Sequence, residues 1–226
     1  MKISLLAAAI FFAAVSSFAQ GQVIEKSEFE AIYNKSVYPS VRWKGRKYRA
    51  TTITGTASSN HPDKNWSSQS IQEFDGESTR ARSESRLGKD EPRVSETIRI
   101  GETVYARTGD GPWTTRPSTT TASSGAGVGD VSTASSESEY RFLGMEEFRG
   151  TPTKTYLRLT TGTRVNAQGA ETRTVSRIKY WFDAEGTLLR SEFRADSKWD
   201  DVTSWTEAIL DYELDPSIEI TAPNVP

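Results

Sequence analysis

From residue 46 to residue 214, polar and apolar side chains alternate with a period near two, and turn signals interrupt the alternation at roughly 8–12 residue spacing. Residues 46–57, rich in Thr, Tyr and Ile, suit a pleated strand. Segments 67–75 and 78–87 flank Asp75-Gly76, a hairpin signal. Residues 94–100 alternate Val94, Glu96, Ile98 and Ile100 against Ser95, Thr97 and Arg99. Gly101-Glu102 turns the chain into 103–107, and Gly109-Asp110-Gly111 turns it into Trp113-Thr114-Thr115. After a Ser/Thr/Gly-rich stretch the pattern resumes over 139–149, 153–161, 171–183, 187–195 and 202–214, with Ala184-Glu185-Gly186 as a tight turn. About ten short strands without an alternating helix rhythm exclude a parallel α/β sheet.

Helical periodicity occurs once. Phe29, Ile32 and Tyr33 fall at i, i+3 and i+4, and Ser27-x-x-Glu30 reads as a capping box. Tyr38-Pro39 should end that helix. The pattern therefore predicts a mainly β (α+β) fold. A single curved antiparallel sheet is expected, with the Ser27 helix and a possible second one on its concave face. Segment 118–138 is expected to be a flexible loop or a weak helix, because almost nothing in it can be buried.

The N-terminus reads differently. Lys2, the apolar run Ile3 to Val15, and Ser17-Phe18-Ala19 form a signal-peptide pattern over residues 1–19. A single domain over 20–226 is then expected, soluble after cleavage and in the periplasm or secreted. The apolar run is shorter than the ~20 residues that span a bilayer. No other stretch is long enough, so the mature protein is not expected to span a membrane.

Composition removes several kinds of chemistry. The chain has 28 basic and 30 acidic side chains, a net charge of −2, no cysteine and one histidine. A near-neutral chain has no basic field for nucleic acid. Without cysteine there are no disulfides, thiol sites or lipid-anchoring Cys. His61 lies in a polar turn before Pro62, and one histidine cannot build a His-based zinc site. No phosphate loop or nucleophile elbow is present. Glu146-Glu147 and Asp200-Asp201 would alternate to opposite faces on strands, so they make no acid/base dyad. Asp110 and Asp183 read as turn formers. No enzyme, cofactor or metal site is therefore expected. The six tryptophans, Trp43, Trp66, Trp113, Trp181, Trp199 and Trp205, suit core packing or, if exposed, stacking on sugar rings.

One constellation remains. Ile178 and Tyr180 share a strand side with Phe182; Leu189 shares one with Phe193, and Leu157 with Leu159. Ile98, Ile100 and Val104 are candidates for the same surface. Phe182 aside, these nine residues predict the apolar lining of a concave cavity. An ordinary filled core is the competing reading.

The run Tyr180 to Arg190 resembles the hairpin of the bacterial outer-membrane lipoprotein carrier (LolA-like) superfamily: an aromatic strand, an Asp-x-x-Gly turn, and a return strand with a basic residue. The closing Tyr212-Glu213-Leu214-Asp215-Pro216 with Ile218, Ile220 and Pro223 is similar to its terminal strand and tail. Gly101 to Tyr105 and Gly109 to Trp113 resemble its central meander. The resemblance implies an unclosed β half-barrel wrapped around helices. It also implies a periplasmic carrier that shields lipid or lipoprotein acyl chains; a monomer without catalytic activity is expected. The alternative is a cell-envelope interaction or stress-sensing module with a protein partner and no transported ligand. The family's early-strand arginine has three candidates here, Arg42, Arg46 and Arg49.

Overall fold

A computed structural model describes residues 21–118, 133–165 and 169–225. The expected leader lies outside the described residues. Twelve strands form one antiparallel sheet: β1 (Gln22–Ile24), β2 (Tyr48–Ser58), β3 (Trp66–Asp75), β4 (Ser78–Leu87), β5 (Arg93–Ile100), β6 (Thr103–Thr108), β7 (Thr114–Pro117), β8 (Thr133–Phe148), β9 (Thr151–Val165), β10 (Glu171–Phe182), β11 (Leu188–Trp199) and β12 (Val202–Leu214). Their spatial order is β1-β8-β9-β10-β11-β12-β2-β3-β4-β5-β6-β7. β1 and β7 are the edges and do not pair, so the sheet is an unclosed half-barrel. Both edges are short, and β7 ends in Arg116-Pro117, which discourages pairing with other chains.

Two helices lie on the concave face: α1 (Lys26–Tyr33) and α2 (Pro39–Arg42). α1 shows the expected Phe29, Ile32, Tyr33 stripe. Phe29 is 3% exposed and packs among Tyr140, Tyr156, Tyr180 and Phe182, with ring centroids 4.9 Å from Tyr140 and 5.7 Å from Tyr180. The capping box does not form. Glu25 caps the helix without a side-chain bond, and Ser27 lies inside the first turn. Pro39 does not end α1; it opens α2, where its missing N–H costs nothing. Trp43, just past α2, packs with Tyr48 and Leu189 in a second cluster.

The expected strands are all present, most of them longer than the alternation suggests. The largest difference is at 118–138. Residues 119–132 lie outside the described residues, but 133–138 form the start of β8, paired with β9 up to Thr133↔Val165. Serine and threonine are compatible with a pleated ladder, and hydroxyl pairs such as Ser138 with Thr160, 2.9 Å apart, join the strands. Asp183 is the turn former it was read to be: its Oδ1 accepts the N–H groups of Glu185 at 2.9 Å and Thr187 at 2.8 Å. Register shifts at Phe142/Gly144 and Trp181/Phe182 add bulges that bend the sheet beside α1.

Candidate functional site

Strand register assigns every side chain to a face, and the nine expected lining residues divide between the two. Ile178 pairs with Phe193, and Tyr180 with Tyr156, on the concave face under α1. Leu189, in step with Ser191 and Phe193, joins Trp43 and Tyr48 on the same side. Val104 pairs with Arg99 and Arg116, also on the concave face of the far limb. Leu157 instead pairs with Lys179, and Leu159 with Arg177, on the convex face. Ile98 pairs with Tyr105 and Ile100 with Thr103, again convex. These four do not share a surface with Tyr180. The reason is parity: the two-residue turn Gly101-Glu102 sets Ile100 opposite Thr103, so Val104 points the other way. Leu157 is nevertheless only 1% exposed. Arg141 and Lys179 flank it on the neighbouring strands, and long side-chain stems of this kind cover apolar surface.

The concave face is therefore filled at one end and open in its middle. Under α1, Tyr180, Tyr156 and Phe182 are buried core. Burial, followed by the charges of neighbouring phenols, pushes the Tyr180 hydroxyl up to about 12. Beyond the helix margin, one cross-strand row runs Arg158, Ile178, Phe193, Ala208, Thr54, Ser68, Ser85, Arg93. Ile178, Phe193 and Ala208 in it are only half-buried. The adjacent row carries Tyr180, Ser191, Leu210, Thr52 and Ser70. Short Ser, Thr and Ala side chains give this trough a low floor, with Phe193 and Leu210 standing above it. Trp66 and Leu87 pair with each other at one end of the concave face and are 38% and 48% exposed. Ala208, Leu210 and Arg158 were not expected in the lining, although the alternation Tyr156-x-Arg158 and Ala208-x-Leu210 carries them.

Charge separates the two faces. Among the described strands, Glu147 at the end of β8 is the one concave position that carries an acid, while Arg93, Arg99, Arg116, Lys154, Arg158 and Arg164 all point there. The convex face holds a lattice of pairs. Glu146 accepts from Lys179 Nζ at 2.9 Å and Trp181 Nε1 at 3.0 Å, so it is a structural anchor. Asp196 accepts from Arg194 and Arg177 at 2.9 and 3.1 Å. Burial pushes Asp196 up, but those two arginines prevail and hold it below 3.8. Asp211 faces Arg190 and Arg149; its burial outweighs both and raises it.

A second cavity lies on the convex side, at the ends of β10–β12. It has a volume of about 710 Å³ and is lined by Arg173, Val175, Lys198, Asp200 and Trp205 among others. The Trp205 indole lies over Gly55, where an added Cβ would come within 3.4 Å of it, and Arg194 sits 5.3 Å from the ring centroid. His61 is exposed beside the Pro62–Lys64 turn. No group of His, Asp and Glu suited to a metal ion occurs among the described residues. None of their helices is long and apolar enough to cross a membrane.

Neither a protein-family model nor a curated protein matches this chain in sequence. The fold defines it as an unclosed antiparallel half-barrel with helices on its concave face, and function is argued from that face.

Proposed function

We propose that this protein is a non-catalytic periplasmic carrier, in the manner of the LolA-like superfamily, that holds the acyl portion of a lipid or lipoprotein in its concave trough. The observation that carries this reading is the row Ile178–Phe193–Ala208. It is apolar and half-buried, and only its Ile178 end packs against the cluster under α1. Apolar surface left open beside a filled core favours an apolar occupant, at roughly 25 cal/mol per Å² buried. Thr54, Ser68 and Ser85 continue the row with side chains too short to fill it. Trp66 and Leu87 form an apolar lip at one end. The leader-like start of the chain supports delivery to the periplasm.

Mass spectrometry of gently purified protein tests the reading. A co-purifying lipid, and binding of a fluorescent acyl probe that Phe193→Asp or Leu210→Asp weakens by about tenfold or more, are the expected results. No lipid, and no probe binding by the wild type, would overturn it.

The cleft beside Trp205 favours a second reading, an envelope interaction module in which a partner engages the convex face. That reading requires Trp205→Ala to lose a partner that Phe193→Asp retains in pull-downs from envelope extract.

A further inference from the structure

We infer that the trough's ligand is an anionic phospholipid whose phosphate is held by Arg158. This rests on the carrier reading above and specifies its ligand. The convex acids Glu73, Glu96, Glu146, Asp196, Asp211 and Glu213 each meet an arginine or lysine. Arg158 is the opposite case: a half-buried guanidinium on the concave face, where Glu147 at the far end of β8 is the one strand acid among the described residues. It makes no ion pair among the described residues, and its one hydrogen bond runs from Nε to Thr160 Oγ1 at 3.4 Å. Glu28 on α1 is exposed and forms no ion pair with it. A guanidinium drawn partly out of water without a counter-ion is costly, and an anion from the ligand offsets that cost. Its planar fork matches two phosphate oxygens.

Position links the charge to the apolar row. Arg158 lies directly opposite Ile178, and Ile178 opposite Phe193. Such pairs are about 5 Å apart, so a head group on Arg158 starts its chains on the open apolar surface. The row from Arg158 to Arg93 crosses β9 to β5 by way of β12 and β2. Its apolar part, Ile178–Phe193–Ala208, spans two strand intervals, about 10 Å at ~4.8 Å each, which is the width of two acyl chains side by side and favours a two-chain phospholipid over a free fatty acid. Arg93 at the far end of the row is exposed and makes no ion pair among the described residues.

The test uses the mature full-length protein and lipid uptake from vesicles of phosphatidylglycerol or phosphatidylcholine, read by native mass spectrometry. Phosphatidylglycerol should bind about tenfold more than phosphatidylcholine, Arg158→Gln should erase that preference, and Arg158→Lys should restore part of it. Equal uptake of the two lipids, or an unchanged preference in Arg158→Gln, overturns the phosphate site and leaves the carrier reading standing. Oleate binding more tightly than phosphatidylglycerol overturns the phospholipid assignment. Failure of both lipids and of neutral diacylglycerol overturns the carrier reading as well. Should Arg158→Gln fail to fold, the wild-type comparison of the two lipids and the Arg158→Lys variant decide the matter.

Discussion

Arg49 on β2 donates two hydrogen bonds to one carboxylate oxygen of Glu73 on β3, from Nη2 at 3.0 Å and from Nε at 3.3 Å. Glu73 is only 8% exposed, and its other oxygen is taken by Arg80 of β4. Arg49 also reaches Glu213 of β12 at 3.0 Å. One buried carboxylate thus ties β2, β3 and β4 together on the face opposite the Trp43–Tyr48 cluster.

Glu73→Ala should therefore destabilise the fold by about 2–3 kcal/mol, somewhat below the cost of breaking a fully buried pair, because Arg49 and Arg80 retain partial solvent. Glu73→Gln should cost less, since one amide oxygen still accepts from Arg49. Urea denaturation of the two variants checks the order. A Glu73→Ala midpoint equal to wild type would show that the lattice contributes only surface-type pairs.

Asp196 gives the acid limb a defined sign. Its folded value lies below the ordinary 3.8, so its stabilisation is present above pH ~4 and is lost as pH falls through the lowered folded value. Asp211 is raised, so its ionised form opposes folding, and acidification through its raised value relieves that penalty. Asp196→Asn should lower Tm at pH 7 and converge on wild type near pH 2–3. Asp211→Asn should show the smaller loss at pH 7. Thermal melts from pH 2 to 7 on both variants read this out, and a pH-independent gap for Asp196→Asn would contradict it.

The strands and the helix stripe were legible because each depends on local periodicity: Phe29, Ile32 and Tyr33 form the helix stripe, and Glu171 to Phe182 alternate as a strand. The composition of the concave face was not, because it depends on register between strands. The two-residue turn at Gly101-Glu102 already places Ile100 and Val104 on opposite faces. No such short turn joins β9 to β10, so nothing in the chain tied Leu157 to the side opposite Tyr180. The bulge at Trp181/Phe182, which sets Leu188 opposite Phe182 in the core under α1, is likewise invisible to a strict period of two. The shortage of acids on the concave face, where Glu147 of β8 is the one strand acid among the described residues, emerges only once all eleven pairings are laid out together.

Tyr180 predicts the alkaline limb. Its phenol is pushed up to about 12 by burial from an ordinary 10, so unfolding releases a proton more readily than the native state does. Stability is then unaffected below pH ~10 and declines between the unfolded and folded values. Tyr180→Phe should change stability at pH 7 by less than about 1 kcal/mol and remove part of the loss between pH 10 and 12. Parallel alkaline titrations of wild type and variant by absorbance and circular dichroism would show it, and identical alkaline limbs would contradict it.

Gly88 predicts a backbone-limited site. Its φ is +54°, its N–H donates to the Asn65 carbonyl at 2.6 Å, and a Cβ there would stand 2.2 Å from the Asp63 carbonyl oxygen. Left-handed strain of ~1 kcal/mol therefore adds to a backbone collision that no rotamer change relieves. Gly88→Ala should cost more than about 2 kcal/mol, while Gly76→Ala, at φ +62° with nothing within 4 Å of its Cβ, should cost about 1. Chemical denaturation of the pair separates collision from conformation, and equal losses would remove the collision.

Phe29 holds α1 to the sheet. The helix is eight residues long, too short to persist alone, and its capping box is unformed. Its hold on the sheet comes mainly from Phe29 seated among Tyr140, Tyr156 and Tyr180, helped by Ile32 and Tyr33 at the margin. Phe29→Ala should cost about 3–5 kcal/mol if the whole fold depends on that contact. If α1 instead undocks alone, the global unfolding midpoint should barely move, while amide exchange in Lys26–Tyr33 accelerates and Tyr180 becomes solvent-accessible. The half-barrel has some 40 paired residues in the β12–β2–β3–β4 limb that α1 never touches, so the second outcome is expected for the trough itself and the first for β8–β10. Hydrogen exchange resolved by strand distinguishes them. Uniform acceleration across β2–β4 and β8–β10 would show that helix and sheet fold as one cooperative unit.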